Sequence, residues 1–146
     1  MKLIYFVELL LLTFSTTLFA QSTDIEETRA QAEQGNAYAQ VYLGMIYDKG
    51  NGVTENDIEA FKWYKLAADQ GLPSAQYSIA LMYAQGTGIP KDDYAAYVWF
   101  AVAAVQSQHG AAEARDEMAA KLSAEQIESG QKLVKQCVES GYTDCI

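Results

Sequence analysis

Residues 37–72 read AYAQVYLGMIYDKGNGVTENDIEAFKWYKLAADQGL, and residues 73–108 read PSAQYSIALMYAQGTGIPKDDYAAYVWFAVAAVQSQ. Laid over one another without a gap, the two stretches agree at a constant offset of 36 positions. Ala39-Gln40 recurs as Ala75-Gln76, Tyr47 as Tyr83, Gly50 and Gly52 as Gly86 and Gly88, and Asp57 as Asp93. Ala60 recurs as Ala96, Trp63-Tyr64 as Trp99-Phe100, and Ala67-Ala68 as Ala103-Ala104. Just upstream, Ala32-Glu33-Gln34-Gly35 recurs as Ala68-Asp69-Gln70-Gly71. Apolar character is kept at Leu43 and Ile79, at Ile46 and Met82, and at Val53 and Ile89. One shared dipeptide arises by chance, but agreement at this many positions with one offset marks an internal repeat.

The period inside each unit is helical. Ala39, Leu43, Ile46, Tyr47 and Gly50 fall at three-and-four spacing, as do Ala60, Trp63, Tyr64, Ala67 and Ala68. Gly50 and Gly52 break the pattern between them, where a tight inter-helix loop needs backbone freedom. Asp57 and Asp93 belong in the first turn of the second helix, where a negative charge suits the helix dipole. Gly71 marks the end of that helix, and Pro73 opens the next. Each unit is therefore expected to be a helix hairpin. Ala39, Gly44, Ala60 and Ala67 leave room for close helix approach, while Tyr47, Trp63 and Tyr64 fill the space. A hairpin of this kind buries its apolar face only by stacking on another. The expected fold is all-α, a right-handed α/α solenoid of antiparallel helix hairpins with about seven helices, and Trp63 and Trp99 are expected in its core.

The flanks extend the stack. Thr23 with Glu26 forms a capping-box pattern, and the helix it starts ends at Gln34-Gly35 like the second helix of a unit. Residues 110–121 are in register with a first helix, since Ala111 matches Ala75. They have gained Glu113, Arg115, Asp116 and Glu117, the polar face of a terminal cap. Ser123 with Gln126 makes a second capping box, and a last helix should run to about Glu139. The organisation read from the sequence is a leader over 1–20, a half-unit over 21–36, full units over 37–72 and 73–108, and capping helices with a tail over 109–146.

The leader is read from Lys2, the mostly apolar run Leu3–Leu12 and the Ala20-Gln21 junction, which together resemble a cleavable secretory signal. Glu8 interrupts the run, which is also shorter than the roughly 20 apolar residues of a bilayer span. The chain is expected in the periplasm or outside the cell, with no stable membrane insertion after cleavage. Cys137 and Cys145, the only two cysteines, are then expected to pair. In the chain-entropy model so small a loop contributes on the order of 2–3 kcal/mol.

Charge and chemistry narrow the function. The 146 residues carry a net charge of −9, with half of them hydrophobic and a fifth charged. A phosphate backbone calls for positive charge on the protein, and no basic stripe is present, so nucleic acid is excluded as the expected partner. His109 is the only His, which leaves no Ser-His or Cys-His arrangement without it. No phosphate loop, dinucleotide fingerprint or metal-ligand spacing occurs. No catalytic residue, metal site or cofactor is expected.

The repeat resembles the Sel-one-like family, a relative of the tetratricopeptide repeat. The residues that carry the resemblance are Ala39, Leu43-Gly44, Tyr47, Gly50, Gly52-Val53, Asp57, Ala60, Trp63-Tyr64, Ala67-Ala68 and Gly71. In the second unit they are Ala75, Tyr83, Gly86, Gly88, Asp93, Ala96, Trp99, Ala103 and Ala104, with departures at Ile79-Ala80, Phe100 and Ser107. The resemblance implies a solenoid whose first helices line a concave face, and a non-enzymatic adaptor role in protein complexes. The outward positions on that face are expected to be Tyr38, Val41, Met45 and Asp48 in the first unit and Ser74, Tyr77, Leu81 and Ala84 in the second. They would take an apolar peptide or protein, with basic residues to suit the acidic shell. The alternatives are a weak hydrolase or penicillin-binding protein, as in cysteine-rich exported relatives, and a dedicated inhibitor or immunity partner of one enzyme. The cysteines of those relatives pair within every repeat, and neither full repeat here contains one.

Overall fold

The computed structural model describes residues 24–143 and 145–146, and within them it is an all-α solenoid. The leader and the capping box at Thr23 lie outside the described residues. A helical stretch over 24–33 (α1) is followed by α2 (Ala37–Lys49), α3 (Asp57–Asp69), α4 (Pro73–Gln85), α5 (Asp93–Val105), α6 (Ala111–Ala119) and α7 (Ala124–Glu139). From α2 to α6 each helix packs on the next, and α7 folds back onto α5.

Local chemistry sets the boundaries. Helix α2 starts at Asn36, whose side chain accepts from the N–H groups of Tyr38 and Ala39. Asn56 caps α3 and Asp92 caps α5 in the same way, satisfying amide donors that have no partner inside the helix. Asp57 and Asp93 are the residues immediately after those caps. Pro73 opens α4, and the reciprocal box of Ser123 and Gln126 opens α7. At the far ends of α3 and α5 the chain turns through a left-handed residue with paired return bonds. In the first, Gly71 (φ +84°) donates to the carbonyl of Ala68 and Leu72 to that of Ala67. In the second, Ser107 (φ +58°) donates to Ala104 and Gln108 to Ala103. Glycine enters this conformation freely and serine does not.

Helix α5 is the centre of the molecule. Its residues from Ala95 to Ala103 are all buried, because α4, α6 and α7 each pack on it. Trp99 is fully enclosed and Phe100 nearly so. Trp63, the counterpart of Trp99, is only half-buried, packed on Ala32, Ala39, Leu43 and Ile46. Lys65 of α3 lies over the Trp99 ring at 5.5 Å, whereas the equivalent residue one unit earlier, Arg29, lies over Tyr47, so the Trp63 indole is covered less completely than the repeat pattern implies. Gly88 explains how closely the units stack. A Cβ there would lie 2.6 Å from the backbone carbon of Asp57, so only glycine lets the second loop settle on the start of α3.

Polar bonds repeat with the apolar ones. The Nε2 of Gln40 donates to the Ala32 carbonyl at 3.0 Å, and its Oε1 accepts from Gln70 at 2.7 Å. One unit later, Gln76 donates to the Ala68 carbonyl at 3.3 Å and accepts from Gln106 at 2.8 Å. Gln40 and Gln76 are both buried, so each amide is satisfied by its neighbours and not by solvent.

The two cysteines are bonded to each other, and both are buried. The bond returns the tail to the body of the stack, where Tyr142 packs against the core and over Gly71. A Cβ on Gly71 would meet the Tyr142 ring at 2.6 Å.

Two stability outcomes follow from this packing. Trp99→Ala is expected to cost about 3–5 kcal/mol, the range for truncating a large buried aromatic, and Trp63→Ala less, as read from urea midpoints. Ser107→Gly is expected to raise stability by up to about 1 kcal/mol, since it removes the left-handed strain and keeps the turn. Gly71→Ser should lower the urea midpoint, since its Cβ meets the Tyr142 ring.

Candidate protein-binding face

The first helices of the hairpins, α2, α4 and α6, present the face on which the eight sequence-selected residues lie. The structure divides those residues into an open part and a covered part. On α2, Tyr38 is 77% exposed and Met45 47%. Val41 is half-buried against the main core. Asp48 is half-buried and pairs with Lys49 at 2.8 Å. On α4, Ser74 is exposed, whereas Tyr77, Leu81 and Ala84 are half-buried. Tyr77 meets Phe100 edge-on at 5.3 Å, and α6 rises beside it.

Tyr42 was not among the eight, yet it is 56% exposed. It lies one helical turn from Tyr38 and near Met45, so the three make an apolar strip along α2. Its counterpart in the second unit is Ser78, a small residue at the junction between units. Tyr42, Met45, Ile25 and Gly52 surround a depression of about 460 Å³ at the N-terminal edge of this face. The only sequence signal for it was the exchange of a large aromatic for a serine at equivalent positions.

Between α2 and α4 lies a smaller depression, about 210 Å³, lined by Asp48, Tyr64, Ser78, Leu81 and Gln85. Between α4 and α6 lies a groove of about 320 Å³. Asp48 and Leu81, chosen from different units, thus share one hollow, while Tyr38 and Ser74 stand apart from it. His109 is exposed in the turn before α6. Among the described residues, no group of three or more His, Cys, Asp or Glu is placed to hold a metal ion. Every described Lys and Arg lies within 4 Å of a carboxylate. The face is therefore apolar and acidic, suited to contact area and charge complementarity.

Comparison with known proteins gives two kinds of match. The family model described as Sel1 repeat matches residues 37–72 and 73–106. A solved structure described as a protective antigen present in uropathogenic Escherichia coli strains, displaying an SLR fold, superposes with a TM-score of 0.75 at 30% identity. The alignment covers 81% of this chain and 26% of that one. A Sel1 repeat protein from Oxalobacter formigenes superposes with a TM-score of 0.54 at 35% identity, over 70% of this chain and 44% of that one. The chain thus spans about a quarter of the first structure and less than half of the second. No curated protein matches it.

Tyr64 forms the floor of the middle depression and ties its chemistry to the fold. Burial pushes its phenol well above the usual value of 10, the charge of Asp48 adds to this, and a hydrogen bond with Ser78 opposes it. Burial and then Asp92 raise Tyr83 in the same direction. A raised folded pKa means that the folded chain holds these protons more tightly than the unfolded chain does. Their favourable contribution is complete below the unfolded value near 10 and is lost progressively as pH rises from there towards the raised folded value. The urea midpoint is therefore expected to hold up to about pH 10 and to fall as pH rises further. Tyr64→Phe should flatten that fall.

Proposed function

Because the chain is a Sel1 repeat protein built from two tandem copies of that repeat, we propose that it is an extracytoplasmic scaffold holding a protein or peptide on the face of its first helices, without chemistry of its own. Sel1 repeats generally serve protein–protein interaction. The observation that carries the reading here is the strip of Tyr38, Tyr42 and Met45, large side chains left in solvent on a rigid helix. Tyr and Met are favoured in interfaces because they supply contact area at low entropic cost or adapt to an irregular partner. A rigid preformed face also avoids the cost of ordering on binding.

One observation supports the location. The disulfide between Cys137 and Cys145 belongs with an oxidising compartment. No helix among the described residues is long and apolar enough to cross a membrane. The leader-like sequence over 1–20 lies outside the described residues and is part of this proposal.

Affinity capture from an envelope fraction tests the scaffold role. The chain is expected to retain a partner that Tyr38→Ala plus Met45→Ala loses at least tenfold, whereas Lys62→Ala on α3 retains it. Equal capture by the parent and both variants would reject this face. Incubation with a chromogenic β-lactam is expected to give no turnover.

A further inference from the structure

The groove between α4 and α6 differs from the open strip on α2 in one respect: its apolar floor has an acidic lip. Tyr77, Leu81, Ala84 and Phe100 form the floor. Helices α4 and α6 both pack on α5 and not closely on each other, so the floor stays accessible from the face. The wall on the α6 side carries Glu113 and Glu117, one helical turn apart and both exposed.

Among the described residues no cation serves these two carboxylates. The nine described Lys and Arg residues pair with Glu26, Asp48, Glu59, Asp69, Asp93, Asp116, Glu128 and Glu139. Neither Glu113 nor Glu117 is among those acids. The net charge of −9 leaves no reserve of positive charge to supply one. An apolar partner that covered Tyr77 and Leu81 would draw water away from both carboxylates, which is costly unless it brings a cation. A Lys or Arg side chain meets both needs at once, since its stem covers apolar surface while its head stays at the lip. An acidic peptide would be repelled there.

We propose that this groove holds a peptide segment in which a Leu- or Phe-sized residue adjoins a Lys or Arg. The apolar residue lies on Tyr77 and Leu81, and the basic one pairs with Glu113 and Glu117. The proposal rests on the scaffold reading of the same face and names the chemistry of its partner.

The test is an amide-resonance titration of the whole isotope-labelled chain with three synthetic peptides of equal length. The first has a Lys-Leu-Phe-Lys centre, the second has Glu in place of both Lys, and the third has Ser in place of Leu and Phe. The first peptide is expected to shift Tyr77, Leu81, Glu113 and Glu117, and to bind at least tenfold more tightly than the other two. Glu113→Gln plus Glu117→Gln should weaken it by about three- to tenfold, and the loss should shrink at high salt. That variant removes no bond within the fold, so its thermal melt should fall only by the small contribution of the Glu113 charge in the first turn of α6. Equal binding of the Glu peptide, unchanged affinity in the double variant, or shifts confined to Tyr38 and Tyr42 would each overturn the proposal. If no peptide binds while the chain still captures a partner through Tyr38 and Met45, the groove assignment fails and the scaffold reading stands. If the Lys peptide binds here but the alanine variant on α2 captures the same partners, the α2 strip fails and the groove stands.

Discussion

A buried glutamine near the start of each first helix holds three helices in one register. Gln40 reaches back to the end of α1 and receives Gln70 from the end of α3, and Gln76 does the same for α3 and α5. A buried amide without partners costs about 1–3 kcal/mol, so a slip of one hairpin against the next would be penalised twice in each unit. Apolar packing alone tolerates sliding, because alanine and leucine surfaces are similar at neighbouring registers. The paired amides do not, and they fix the offset that the glycine loops then require. Gly88 can settle on Asp57 only when the two units stand at that offset.

The ends of the stack show what this arrangement leaves unsolved. At the N-terminal edge, α2 has no preceding first helix among the described residues. Its flank carries Tyr38, Tyr42 and Met45 in solvent, and Trp63 is half-covered. At the other end α7 packs on α5, with Gly130 against Tyr97, and the disulfide returns the tail so that Tyr142 covers Gly71. The C-terminal end is thus closed by packing and a covalent bond, whereas the N-terminal edge keeps an apolar strip open.

Most of the fold could be read from the sequence because the repeat encodes it twice. Each position appears in two units, so a constant offset separates residues with a structural duty from those without one. Asp57 and Asp93, Pro73, Gly71 and the box at Ser123 all sit at helix ends, where the rules for unpaired backbone groups are local. Exposure across the face was harder to read. Tyr38, Val41, Met45 and Asp48 share a helix face, but how far each is covered depends on how α2 and α4 sit against one another. Periodicity gives the angle of a residue around its own helix and not its angle to the neighbouring one. Tyr42 was missed for that reason, and Tyr77, Leu81 and Ala84 proved half-covered because α6 rises beside them. The duty of Gln40 and Gln76 was hidden for another reason. The pair was visible as a repeat, but its partners are a carbonyl 8 positions upstream and a side chain 30 positions downstream.

The same bonds that fix register also decide how this face can bind. Helices held by buried amides, by close glycine contacts and by a disulfide cannot splay to admit a partner without breaking several interactions together. On the proposed reading, recognition comes from side chains already in place, and specificity from which of them are left unsatisfied. Apolar side chains in solvent accept many partners, because contact area discriminates weakly. Unpaired carboxylates beside an apolar floor discriminate strongly, since they penalise any partner that removes water and returns no positive charge. In a chain whose described cations are all already paired, the proposed groove would owe its selectivity to the acids that were left over.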